Sequence, residues 1–259
     1  HIIAVTMQGF GTSGKTYQNA QTLMKQLGCD LREIPITDAV LQHFRDIGHD
    51  ATLHDTTYEN AQARQRTQIL LDLSNKEGAI VVGTGDLSEA ALGFCTFAGD
   101  HMANFNVNVC VTKTMMRQMI GYLCETEAFL FCSAVLLDIL NTPISPELLP
   151  ADEEGNIAQK TEQILGPYEL HDFLLYYVVQ YGCSGDELRF YARQAFPQIS
   201  GEEIDRAAVL FLKRFVQNQF KRSCAPDCAN ITTVNLTALQ FSFPSDSDVC
   251  AFLEKNETF

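Results

Sequence analysis

Ala79-Ile-Val-Val-Gly-Thr-Gly-Asp-Leu-Ser-Glu-Ala-Ala-Leu-Gly-Phe94 is the stretch on which the reading of this chain turns. Its opening apolar run, Ala79 to Gly83, is short and bounded by glycine, which predicts a buried strand. Gly83-Thr84-Gly85-Asp86 then turns the chain, and Asp86 or Ser88 is placed to cap a helix carrying Glu89. A strand that ends in Gly-Thr-Gly and enters a capped helix gathers free backbone N–H groups and the positive end of a helix dipole. Such a spot suits an anion such as a phosphate. A carboxylate at Glu89, in the first helical turn, would stand beside phosphates and hold Mg²⁺ there. The plainer alternative is that Glu89 only complements the helix dipole and the glycines only make a turn.

Upstream, strand and helix patterns alternate. His1 to Met7 reads as a strand and Thr16 to Leu27 as a helix. Asp30 to Ile36 reads as a second strand, Thr37 to Phe44 as a second helix, and Tyr58 to Asn75 as a long one with Ile69, Leu70 and Leu73 apolar. This alternation predicts a parallel α/β sheet with its ligands at the carboxyl ends of the strands. On the long helix, Asn60, Arg64 and Gln68 recur every four residues and share one face. Arg64 is then either a solvated charge or an anion clamp. Between the first strand and helix, Gly9-Phe-Gly-Thr-Ser-Gly-Lys-Thr16 matches G-x-x-x-x-G-K-[ST] letter for letter. A P-loop NTPase also needs an apolar strand ending in Asp to complete its metal shell. The run ending at Asp138 is long and leucine-rich and reads as a helix instead, so the P-loop stands as an alternative.

Downstream, Phe94 to Val111 is polar and aromatic, without a period, and too long for a mere connection. Lys113 opens the helix Thr112 to Leu123. A cation there opposes the dipole at a cost of a few tenths of a kcal/mol unless an anion lies opposite. Removing it is therefore expected to relieve the fold slightly. From Glu125 onward the pattern is mainly helical: Glu127 to Leu140, then, past a proline- and acid-rich loop from Asn141 to Gly166, Tyr168 to Gly182, Ser184 to Phe196 and Ser200 to Phe220. Beyond Cys224 the tail is polar, with some alternation from Thr232 to Phe243.

With 259 residues and 46% hydrophobic content the chain has ample material for a core. A net charge of −14 argues against nucleic-acid or anionic-membrane partners, so any phosphate site must rest on a few local cations. Nine cysteines, an odd number scattered along the chain, read as reduced thiols rather than a disulfide framework. Cys224 and Cys228 have no second pair at metal-ligand spacing, so zinc is not expected. The most apolar long segment, Met119 to Leu140, holds Glu125, Glu127 and Asp138, which argues against a membrane span. No signal peptide is visible, and a cytoplasmic protein is expected.

Several stretches together resemble the synthetase domain of glutamine-dependent NAD⁺ synthases. They are Tyr58-Glu-Asn-Ala-Gln-Ala-Arg-Gln-Arg-Thr-Gln-Ile-Leu70, Val82-Gly-Thr-Gly-Asp-Leu-Ser-Glu-Ala-Ala-Leu-Gly93, Asn106-Val-Asn through Lys113-Thr114, Leu165-Gly-Pro-Tyr-Glu-Leu170 and Gln219-Phe-Lys-Arg-Ser223. The likeness covers nearly the whole chain and is weakest after Cys228. It implies an adenine-nucleotide α-hydrolase-like α/β fold, a Rossmann-like parallel sheet flanked by helices. It also implies a synthetase domain over residues 1–223, α/β to about residue 124 and helical after it, and a tail over 224–259. The activity implied is adenylation of nicotinic acid adenine dinucleotide by ATP with Mg²⁺, releasing pyrophosphate, and then displacement of AMP by ammonia to give NAD⁺. By the same resemblance Thr84 and Lys113 contact ATP, Glu89 holds Mg²⁺, and Glu89 and Lys113 form the catalytic pair. Arg64, Phe220 and Lys221 contact the dinucleotide. The expected protein is a homo-oligomer whose ammonia comes from glutamine through an upstream amidase domain. Relatives carry a pyrophosphate loop, Ser-Gly-Gly-x-Asp-Ser, one strand before the position of His1, and its aspartate is a second Mg²⁺ ligand. Without that loop this stretch alone is expected to be inactive, and a non-catalytic nucleotide-binding fragment is the alternative. Phe97 stands where ammonia-dependent relatives carry a lysine. Relatives also have a Gly-Phe-Gly-Thr loop at Gly9 without the Gly-Lys, which weighs against the P-loop.

Overall fold

Among the described residues the strands come in parallel pairs, one pair in each of two compact units. The computed structural model describes residues 1–11, 14–142, 148, 166–237, 240–241 and 243–248. One unit comprises His1–Ala79 with Met116–Thr161, the other Ile80–Met115 with Glu162–Phe259. The two units thus interleave along the sequence. Most of the loop from Asn141 to Gly166 and the end of the tail lie outside the described residues.

In the first unit β1 (Ile3–Thr6) runs parallel to β2 (Asp30–Glu33), with Ile3 opposite Asp30 and Thr6 opposite Glu33. Parallel neighbours need a crossover, and α1 (Gly14–Gln26) supplies it. α2 (Thr37–Ile47) buries Val40 and Phe44, four residues apart on one face. These pack with Ile36, Tyr58 and Ala61, flanked by Met7 and Phe10. α3 (Thr56–Glu77) is capped at its start by Asp55, which accepts from Tyr58 N–H at 3.0 Å. Its buried residues are Tyr58, Ala61, Gln62, Ala63 and Thr67. The apolar trio Ile69, Leu70 and Leu73 is only half-buried. The run Glu127 to Leu140 is two pieces, a 3₁₀ turn (Glu127–Cys132) and then α6 (Ser133–Asn141). Asp138 is helical, as its leucine-rich surroundings predict.

In the second unit β3 (Val82–Gly83) pairs in parallel with β4 (Phe105–Asn106). Among the described residues the hydrogen-bonded strands form two two-stranded sheets, both parallel as the strand–helix alternation predicts. The sequence also predicts a buried strand over Ala79–Gly83. Only the last two residues pair, and Ile80 and Val82 are 65% and 52% exposed while Val81 and Gly83 are buried. Alternation of this kind marks a strand covered on one face only. Gly83 is needed for its size: a Cβ there would lie 3.0 Å from Ala103 Cβ and 3.2 Å from Asn106 Cγ.

α4 (Leu87–Leu92) follows β3, and α5 (Lys113–Glu125) follows β4. The helical part of this unit is α7 (Tyr168–Tyr181), α8 (Gly185–Ala195), α9 (Gly201–Gln217) and the short α10 (Gln219–Arg222). α8 and α9 open with reciprocal capping boxes, Ser184 with Glu187 and Ser200 with Glu203. Leu87, Ala91, Leu92, Leu170, Leu174, Leu188, Ile204, Ala208 and Phe211 are almost fully buried, and contact with α7 and α9 holds so short a helix as α4 in place. No strand follows Cys228 in the described tail, only an isolated bridge between Asn106 and Cys228. The chain is an α/β protein with parallel strands.

Candidate functional site

The start of α4 is occupied by the protein's own carboxylates. Asp86, at the N-cap, accepts the Glu89 N–H at 2.8 Å, and Glu89 Oε2 accepts the Asp86 N–H at 3.1 Å. This is the capping box that Asp-x-x-Glu spells out, and it makes Asp86 the cap rather than Ser88. The anion expected at this helix start is therefore, in the first place, Asp86 itself.

Lys113 completes the cluster. Its ammonium lies 2.7 Å from Asp86 Oδ2 and 2.8 Å from Glu89 Oε1, and 5.5 Å from the centre of the Tyr168 ring. A cation at a helix start costs little when two anions lie opposite, which resolves the conflict with the dipole. The three charges sum to −1. Burial by itself would depress the Lys113 ammonium, but Glu89 and Asp86 outweigh it and hold its pKa above the ordinary lysine value. Burial and the neighbouring Glu89 push the Asp86 carboxyl up to about 6, against the pull of Lys113. Burial also raises the Tyr168 phenol.

A second layer fixes the two helix starts to each other. Ser88 Oγ accepts the Lys113 N–H at 2.8 Å and donates to Asp172 Oδ1 in a short hydrogen bond. Asp172 Oδ2 accepts the Thr114 N–H at 3.0 Å, and Leu87 N–H donates to Val111 O at 2.9 Å. Two otherwise unpaired donors at the start of α5 are thereby satisfied from α4 and α7. Sequence reasoning missed Asp172 altogether. It is 84 residues from Ser88, and no local pattern sets it apart.

At the other end of α4 the chain gathers cations. Lys221 Nζ donates to Gly93 O at 2.7 Å and Cys95 O at 2.8 Å. Arg214 Nη1 donates to Leu92 O at 3.2 Å, and its guanidinium lies 4.5 Å from the Phe94 ring centre. Arg222, almost wholly buried, donates to Ala90 O and Ala91 O, each at 3.2 Å, and in a short bond to Phe215 O. Carbonyls left over at a helix C-terminus welcome cations. Desolvation lowers all three pKa values, that of Arg222 to about 10. Gly93 ends the helix at φ +69°, where a Cβ would also lie 2.0 Å from Asn218 Cγ, so only glycine fits.

Of the residues singled out in the sequence, the second unit brings Glu89 and Lys113 into direct contact. Thr84 is exposed two residues before the Asp86 cap. Lys221 stands at the far end of α4, about 9 Å along a six-residue helix. Phe220 is 43% exposed and packs with its ring tilted against Phe97 at 5.5 Å between centres, and the Phe97 ring lies 6.0 Å from His101. Arg64 belongs to the first unit, exposed on α3. In that same unit Phe10 N–H, inside the glycine-rich loop, donates to Gln62 Oε1 at 3.1 Å, and Lys15 pairs with Asp138 at 2.8 Å. Thr12 and Ser13 lie outside the described residues.

Comparison with known proteins gives a consistent result. The model of the family described as NAD synthase matches residues 1–225. The glutamine-dependent NAD(+) synthetase of Mycobacterium leprae is 35% identical over 96% of this chain and 40% of its own length. That of Mycobacterium bovis is 34% identical over the same shares. The chain thus spans about two-fifths of the length of the curated relatives it matches. A solved glutamine-dependent NAD(+) synthetase from Cytophaga hutchinsonii superposes with a TM-score of 0.76 at 18% identity, covering 96% of this chain and 39% of that one. At that identity the likeness concerns the fold.

Proposed function

The chain belongs to the NAD synthase family, and we propose on that premise that it is the synthetase part of a glutamine-dependent NAD⁺ synthase. Its substrates are ATP and nicotinic acid adenine dinucleotide. The substrate carboxylate attacks the α-phosphorus of ATP and pyrophosphate leaves; ammonia then attacks the carbonyl of the adenylate, and AMP departs as NAD⁺ forms. The observation that carries this reading is Lys113 held between Asp86 and Glu89 directly after Gly83-Thr84-Gly85.

Two anions converge in the first step, so the site needs positive charge poised for the transition state. An ammonium has three donors, and Asp86 and Glu89 take two of those on Lys113. The third is available to a phosphate oxygen, and the ring of Tyr168 limits how far the ammonium can swing. Mg²⁺ is a hard cation that needs only one or two carboxylates besides phosphate and water. Glu89 and Asp86 carry −2 between them, −1 with Lys113 counted, and their hard oxygens suit the ion, with no third His, Cys, Asp or Glu beside them among the described residues. Glu89 would hold the ion, which supplies neutralising charge for the leaving pyrophosphate. Thr84 is assigned to ATP by family likeness, and Arg64, Phe220 and Lys221 to the dinucleotide. Lys221 keeps one donor free of the two carbonyls it already meets.

The full-length protein is proposed to add a second Mg²⁺-binding aspartate and an amidase domain upstream, to assemble as a homo-oligomer, and to work in the cytoplasm. No helix among the described residues is long and apolar enough to cross a membrane. The test is an assay of this chain with ATP, Mg²⁺, nicotinic acid adenine dinucleotide and ammonium. In a protein of full family length we expect AMP, pyrophosphate and NAD⁺ in equal amounts. ADP and orthophosphate as products would overturn the reading.

A further inference from the structure

Free thiols are spread along this chain, and two of them meet. Cys110 Sγ lies 3.7 Å from Cys228 Sγ although 118 residues separate them. Cys110 is fully buried in the connection from β4 to α5, and Cys228 is half-buried. A network holds the two segments together. Asn106 bridges to Cys228, Asn106 N–H donates to Asp227 O at 2.8 Å, and Thr232 Oγ1 donates to Cys110 O at 2.7 Å. Asn235 Nδ2 points at Cys228 Sγ from 3.8 Å.

We propose that Cys110 and Cys228 form a redox-active dithiol that closes to a disulfide by exchange with a small disulfide such as oxidised glutathione. A disulfide bond is about 2.04 Å long, so the sulfurs must approach by about 1.7 Å. Side-chain rotation and a small shift of the exposed segment supply that. Cys228 starts the exchange because it is the reachable sulfur. Its thiolate attacks one sulfur of oxidised glutathione, forming a mixed disulfide and releasing one glutathione thiolate. The Cys110 thiolate then attacks Cys228 Sγ and expels the second. Two protein thiols are oxidised, one glutathione disulfide is reduced to two thiols, and the two protons end on the released glutathione. Burial pushes the Cys110 thiol up to about 11, so Cys110 is not the sulfur that initiates. The bond staples the segment after α10 to the connection that carries the Val111 carbonyl and leads into Lys113.

The test treats the chain with oxidised glutathione and maps its peptides without reduction, sequencing them by fragmentation. We expect a peptide linked through Cys110 and Cys228, and release of the link by added thiol. Cys228→Ser should abolish it. Cys110→Ala should leave glutathione standing on Cys228. Cys224→Ser, which removes the exposed thiol 3.5 Å from His101 Nε2, should leave the link intact. Under native conditions the oxidised chain should be cleaved by protease between residues 227 and 237 roughly tenfold more slowly than the reduced chain. Cys228 linked to Cys224 instead, Cys110 still open to alkylation after oxidation, or equal cleavage of both forms would overturn the proposal.

Discussion

Lys15 and Lys113 both sit in the first turn of a helix, where a cation opposes the dipole, yet their surroundings differ sharply. Lys15 follows a glycine-rich loop that matches a phosphate-binding motif letter for letter. Its side chain is 58% exposed and pairs with one half-exposed carboxylate, Asp138. Lys113 follows no such motif. Its side chain is 15% exposed and is shared by Asp86 and Glu89 beneath an aromatic ring. Spacing of glycines predicts how a backbone can turn; the strength of a charge depends on how much water has been removed from it. On the proposed function, Lys113 is expected to matter to both activity and stability and Lys15 to neither.

The largest expected effect falls on Glu89. In a protein of full family length, Glu89→Gln should lower NAD⁺ formation by about 100-fold or more, the usual cost of one preorganised transition-state contact. Unchanged turnover and unchanged Mg²⁺ dependence would reduce Glu89 to a capping residue. Lys113→Ala should lower turnover at least about tenfold, or 1.4 kcal/mol. It should also destabilise the fold, because Asp86 is left buried without its cation, at a cost on the order of 3 kcal/mol. From the sequence alone the expected sign is the opposite, a slight gain from relieving the dipole. Thermal unfolding of the variant distinguishes the two.

A smaller effect concerns pH. The Asp86 carboxyl, raised to about 6 when folded, binds its proton more tightly in the native state than in the unfolded chain. Its contribution to stability is therefore present at low pH and lost as pH rises from the ordinary aspartate range through about 6. Asp86→Asn keeps a capping oxygen and should flatten the pH dependence of stability in that window. An identical profile in the variant would mean that Asp86 does not titrate there. The smallest effect is reserved for Lys15→Ala, which should change stability by no more than about 0.5 kcal/mol and leave product formation alone. If this variant loses nucleotide turnover while Lys113→Ala does not, the contrast between the two sites is reversed.

Local chemistry explains what could be read in advance. Asp86-Leu-Ser-Glu89 is legible as a helix start because a cap and its reciprocal carboxylate lie three residues apart, and the outcome needs no distant partner. The helices at Tyr168, Ser184 and Ser200 are legible for the same reason, each with a cap or proline before a periodic apolar pattern. Lys113 stands out as a local conflict, a cation at the wrong end of a helix. Conflicts of that sort tend to mark sites.

What the sequence by itself determined is the α/β alternation, the helix starts, the family likeness and the suspicion attached to Glu89 and Lys113. The tertiary structure alone decided how they meet. It put Asp86 between them and set Asp172 behind Ser88. It gave Arg214 and Arg222 to the carbonyls of α4 and Lys221 to those just after it, and it left Ile80 and Val82 exposed where an apolar run predicted burial. Caps and periodicity are settled within a turn or two of chain. Which charge loses its water, and which carboxylate it then finds, depends on residues dozens of positions away and on what else is packed around them.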